Sequence, residues 1–133
     1  MDFYLAGRFS RQANLRLLRD EIVQNGHRCV ASWLDVKETE EGIKDGNGYI
    51  REQTRRFSRA DLQDVEMCDM FILCDDGYPS SGGRNVEFGY ALARGKHIVR
   101  VGPASNIFTD ALCDEEFDNW DDCISYLSCG FTF

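Results

Sequence analysis

The run Asp69-Met70-Phe71-Ile72-Leu73-Cys74 constrains this chain more than any other feature. After its first residue it is apolar without interruption, so a strand formed here buries both faces, as interior strands of parallel sheets do. Stretches of helical spacing flank it. Residues 49–67 place Ile50, Phe57, Ala60, Leu62 and Val65 on one side, and residues 84–94, stopped by Gly95, carry Val86, Phe88, Ala91 and Leu92. Upstream, DFYLA at 2–6 predicts a first strand, residues 11–24 a helix ended by Asn25-Gly26, and residues 29–33 a second strand. Downstream, residues 97–101 predict a fourth strand and Phe117 lies on a short fifth. Asp118 is expected to cap a last helix through Leu127. Strands alternating with helices imply an α/β fold: a flavodoxin-like or Rossmann-like three-layer sandwich with a mainly parallel five-stranded sheet. The 133 residues fit one domain, 1–133.

Such sheets bind ligands beyond the carboxyl ends of their strands. Here those ends are residues 7–12, 33–48, 75–83 and 102–108. The loop 34–48, rich in charge and glycine, is a candidate lid. Composition narrows the ligand. A formal charge of −8 opposes a phosphate-neutralising surface, so no nucleic-acid polymer is expected as partner. The acid is uneven, because residues 101–133 hold seven Asp or Glu and no Lys or Arg. No apolar run is long enough to span a membrane, and the start does not read as a signal peptide. Cysteines at 29, 68, 74, 113, 123 and 129 show no C-x-x-C spacing, and His27 and His97 flank no pair. They are expected to be reduced thiols of a cytoplasmic protein, with no metal site.

Three segments can carry chemistry. Gly82-Gly83 at the start of the helix from Arg84 suits an anion site, since free amides and the helix dipole face the preceding loop, where Ser80 and Ser81 add hydroxyls. An ordinary tight turn needs the same small residues. Glu87, one turn into that helix among apolar neighbours, suits a held nucleophile or base and equally a solvated helix acid. Asp61 reads as an acid or a surface charge, and Tyr4, in the middle of the first strand, as a core residue. Trp33, Tyr49 and Tyr78 fit either a stacking surface for a ring or structural positions.

The ordered set YLAG at 4–7, ADLQDVEMCDMFIL at 60–73 and GGRNVEFGYALARGK at 82–96 resembles the nucleoside 2-deoxyribosyltransferase superfamily, which includes 2′-deoxynucleoside 5′-monophosphate N-glycosidases. Spacing carries most of the likeness: Asp61, Asp69 eight residues later, and Glu87 eighteen after that. The resemblance implies that Glu87 attacks the anomeric carbon, Asp61 protonates the departing base, and Tyr4 orients the nucleophile. A carboxylate suits an oxocarbenium-like transition state, and a nucleobase leaves poorly as an anion. Asp69 is expected to belong to the strand start. No cofactor is implied.

Transferases of this superfamily carry an aspartate six residues before the nucleophile, whereas this chain has Ser81 there, as the nucleotide glycosidases do. An aspartate repels a phosphate dianion; serine and helix amides donate to it. Gly7, Arg8, Ser10, Arg11, Gly82 and Gly83 complete the expected substrate and phosphate contacts, with Arg84 at the same end of the sheet. Arg8 departs from the serine common in those glycosidases. The family also shares sites between protomers, which implies a homodimer or higher homo-oligomer, with Ser105 or Asn106 of GPASNIF reaching the neighbour's ligand or capping a turn. The expected activity is hydrolysis of the base–sugar bond of a (deoxy)nucleoside 5′-monophosphate. The alternatives are nucleobase exchange by a transferase and a non-catalytic nucleotide-binding module.

Overall fold

The structure is a computed structural model that describes residues 1–36, 44–45, 48–80 and 82–129, with backbone alone for 44, 45, 48 and 49. Its elements in chain order begin with β1 (Asp2–Ala6), a 3-10 turn (Phe9–Arg11), α1 (Gln12–Gln24), β2 (Arg28–Cys29) and a second 3-10 turn (Ser32–Asp35). They continue with β3 (Lys44–Asp45), β4 (Gly48–Tyr49), α2 (Arg51–Met67), β5 (Met70–Cys74) and α3 (Gly83–Ala93). The last are β6 (His97–Val101), α4 (Ile107–Ala111), β7 (Glu115–Phe117) and α5 (Trp120–Ser128).

Every residue of β5 is buried, as its uninterrupted apolar run requires. It lies at the centre of a five-stranded sheet ordered β2-β1-β5-β6-β7, with all four pairings parallel. That order is the flavodoxin-like one, and its reversal point falls between β1 and β5. Helices cover both sides: α1 packs with α5, and α2 with α3. The register pairs Tyr4 with Phe71 and Leu5 with Ile72, which puts Tyr4 and Phe71 on one face. β3 and β4 form a separate two-stranded antiparallel ladder.

Local differences from the sequence reading have identifiable causes. The second strand stops at Cys29, because residues 32–35 are drawn into a 3-10 turn by tertiary hydrogen bonds. The Ser32 N–H and hydroxyl donate to Asp64, and the Trp33 indole N–H donates to the Leu5 carbonyl at 2.8 Å. The last helix is capped by Asn119, not Asp118: the Asn119 side chain accepts from the Asp122 N–H at 2.9 Å. α4 lies partly within the expected loop 102–108. A capping box starts it, with the Asn106 side chain accepting from the Phe108 and Thr109 N–H groups. Asp69 staples the amino end of the sheet by accepting from the Asp2 N–H at 3.0 Å, far from the carboxyl ends of the strands. All six cysteines are free; Cys68, Cys74 and Cys123 are buried. Most of loop 34–48 lies outside the described residues, and so does Ser81.

Candidate active site

An aromatic column sets the floor of the site. Tyr4 stacks on Phe71 at 5.5 Å between centroids, nearly parallel, and Phe71 meets Phe88 of α3 edge-on at 6.4 Å. The column fixes the spacing of α3 over the β1–β5 pair, and Glu87, the neighbour of Phe88, is carried to the Tyr4 hydroxyl. That hydroxyl is fully enclosed and has no well-aligned hydrogen bond, yet the Glu87 carboxyl is near enough for each group to act on the other. Burial raises Tyr4 well above the ordinary range of phenols, and the charges of Glu87 and Asp61 add to the effect.

Glu87 is itself pushed up to about 8, first by burial; the Tyr4 hydroxyl lowers it and the Asp61 charge raises it. Asp61 and Asp64 are three residues apart on α2 and therefore share a face. The Ser32 N–H at 3.0 Å and the Ser32 hydroxyl hold Asp64. Burial, then the charge of Asp64, lifts Asp61 to about 6. Two carboxyls of different environment and a phenol thus converge beside the sheet's reversal point, where ligands of this architecture bind. Of the three aromatics considered for stacking, Trp33 is half-buried and tilted against Phe9 at 6.1 Å, whereas Tyr78 is exposed.

The loops at this end form a second layer. Gly7 follows β1 with no room for a side chain, since a Cβ there would lie 2.8 Å from Leu15 Cδ1 and 3.3 Å from Cys74 Cβ. Arg8 is already engaged: its Nε donates to Asp76, and its Nη2 donates to the Tyr78 and Pro79 carbonyls at 3.1 and 2.6 Å. Ser10 and Arg11 are exposed on the first 3-10 turn. Gly82 is the N-cap of α3 at φ 109°, a left-handed conformation suited to glycine, and among the described residues no side chain caps the helix; Gly83 is its first residue. The Asn85 N–H donates to the Gly82 carbonyl at 3.1 Å, and among the described residues the Gly83 and Arg84 amides are without a partner and open to a ligand.

Ser105 sits against Asp75. This fully enclosed carboxylate accepts from the Ser105 N–H and hydroxyl, both at 3.0 Å, and from the Gly77 N–H at 3.1 Å. Asn106 caps α4 and donates to the Asn85 side chain at 3.2 Å. The sequence reading did not single out Asp64, Asp75 or Asp76. The available signals were the three-residue spacing from Asp61 and an Asp-Asp-Gly step directly after the central strand. Among the described residues, no group of three or more His, Cys, Asp or Glu is arranged to hold a metal ion.

A sequence profile of nucleoside 2-deoxyribosyltransferases matches residues 3–122. The chain belongs to the nucleoside 2-deoxyribosyltransferase family. No curated protein matches it. Solved structures similar to it include the Clostridium botulinum CMP N-glycosidase BcmB, with TM-score 0.60, 17% identity and cover of 98% of this chain and 100% of that one. A 2-deoxyribosyltransferase from Bacillus psychrosaccharolyticus has TM-score 0.72 and 17% identity, with 100% of both chains covered. A conserved protein from Enterococcus faecalis V583 has TM-score 0.71 and 18% identity over 96% of each chain. At these identities the structural likeness speaks to the fold, and the family membership rests on the profile. The expected α/β class and the family resemblance agree with these findings.

Proposed function

We propose that this family member hydrolyses the N-glycosidic bond of a (deoxy)nucleoside 5′-monophosphate. The observation that carries the reading is the meeting of Glu87, Tyr4 and Asp61 beside the β1–β5 reversal point, two half-buried carboxyls against an enclosed phenol. In the first half-reaction, ionised Glu87 attacks C1′ and forms a glycosyl ester as the C1′–N bond breaks, while Asp61 gives its proton to the departing base. In the second, water adds at C1′ and passes a proton to Asp61. The ester bond breaks, releasing the sugar 5-phosphate and regenerating the Glu87 carboxylate. Tyr4 donates to the carboxylate and holds its orientation. The uncapped first turn of α3, with Gly82 and Gly83, supports a phosphate at the 5′ position.

Incubating the protein with a panel of nucleosides and 5′-monophosphates, followed by chromatography for free base, tests this reading. Base release from monophosphates that Glu87→Ala abolishes is the expected result; near-wild-type turnover by that variant overturns the mechanism. The second reading, base exchange, rests on the same carboxylate chemistry with a free base in place of water. It predicts a new nucleoside when a different base is added.

Partnership with a second copy of the chain belongs to the same proposal. Val86, Leu92, Ile107, Phe108 and Leu112 are exposed apolar side chains on α3 and around α4, and Leu92 and Phe108 line one depression together with Phe88. A patch of this kind on the helix bearing Glu87 supports a homodimer that brings two sites together.

A further inference from the structure

Arg84 is placed against its local electrostatics. It is the second residue of α3, in the turn where the helix dipole favours anions, and its side chain is only 4% exposed. Of its five N–H groups, those on Nη2 meet the Tyr78 carbonyl at 2.5 Å and Asp76 Oδ1 at 3.3 Å, with Asp75 Oδ1 at 3.7 Å. The Nε and Nη1 groups are buried and have no partner among the described residues. A buried guanidinium with most of its donors unmet is costly, and a neutral side chain would avoid the cost. Asp76 meanwhile is shared: it accepts from Arg8 as well as from Arg84, and from the Tyr78 N–H at 3.0 Å. Two arginines thus enclose one carboxylate at the mouth of an uncapped helix, beside the proposed sugar site.

We propose that Arg84 selects phosphorylated substrates, and that Asp76 is its resident counter-ion, displaced when the ligand's 5′-phosphate takes its place on Nη2 of Arg84. The exchange trades one anion for another, so the enclosed guanidinium is never left without a counter-charge. It requires the 76–80 segment to swing away from Arg84 while Arg8 retains the displaced Asp76. This rests on the nucleotide reading of the site and gives it a residue that discriminates nucleotide from nucleoside.

The probe is inorganic phosphate, titrated calorimetrically into the full chain as wild type, Asp76→Asn and Arg84→Gln. Asp76→Asn removes the competing charge and is expected to bind phosphate about tenfold tighter, whereas Arg84→Gln binds it about tenfold more weakly. In base-release assays, Arg84→Gln is expected to lose about tenfold of the preference for monophosphate over nucleoside, through KM rather than kcat. Phosphate affinity in Asp76→Asn equal to or below wild type overturns the proposal, as does wild-type affinity in Arg84→Gln. If Arg84→Gln does not fold, the Asp76→Asn titration alone decides. Shifted phosphate affinities without base release from any substrate would sustain this inference and defeat the glycosidase reading. Base release with unshifted affinities would do the reverse.

Discussion

At the scale of single residues, the proposed chemistry depends on two carboxyls whose environments separate their proton affinities. In the proposed reaction Glu87 attacks as the ionised carboxylate and Asp61 assists departure as the acid, yet Glu87 sits at about 8 and Asp61 at about 6. Activity should therefore follow a bell in pH between these values, with limbs that belong to the coupled pair. Tyr4→Phe removes a donor that lowers Glu87, so the alkaline limb should move to higher pH and kcat should fall. A kcat/KM profile unmoved by that substitution would remove Tyr4 from the mechanism. The same burial burdens the fold. Because the folded carboxyl is raised from 4.5 to about 8, its neutral form is preferred, and stability declines as pH rises through that window. Glu87→Gln should be inactive yet more stable than wild type by about 2 kcal/mol at pH 8, with little difference at pH 4. Thermal melts at the two pH values check the sign.

At the scale of elements, the loops after β5 and β6 are joined through Asp75, and the joint leaves no slack. Gly102 has φ 99°, and a Cβ on it would run into the Asp75 carbonyl oxygen, so Gly102→Ala incurs both strain and collision. Asp75→Ala strands the donors of Ser105 and Gly77 and should cost about 2–4 kcal/mol in urea denaturation. Asn106→Ala, which opens the capping box of α4, should cost about 1 kcal/mol by the same measurement. Elements defined by continuous local pattern were legible beforehand. β5 followed from its apolar run, and β6 and α3 from period and glycine stops. The turn at 32–35 was not, because Ser32 and Trp33 answer to Asp64 and Leu5, which are distant in sequence. α4 was obscured for a different reason: five residues carry too little periodicity to stand out from a loop.

At the scale of the whole molecule, the exposed apolar side chains of α3 and α4 predict association. Phe108→Asp places a charge on that face and should shift the protein to monomer in size-exclusion chromatography with light scattering. If the site is shared between protomers, base release should fall with it; a wild-type elution volume for Phe108→Asp would remove this face from the interface. The acidic balance is also a property of the whole chain, since its excess lies after residue 100. Asp121 and Asp122 occupy the first turn of α5, where they complement the helix dipole.

The sequence by itself determined the α/β class, because a strand apolar on both faces and flanked by amphipathic helices has only a parallel sheet to join. Its resemblance to the nucleoside 2-deoxyribosyltransferase superfamily also singled out Glu87, Asp61 and Tyr4. Only the tertiary structure decided how those groups meet, since the Tyr4–Phe71–Phe88 column is assembled from β1, β5 and α3. The partners of the arginines were likewise hidden in the sequence. Arg8 and Arg84 read there as phosphate contacts at one end of the sheet, but they converge on Asp76 because the turn after β5 folds back between the first residues after β1 and the start of α3. Pairing of charges depends on distance in space, and the linear order of residues does not encode that distance.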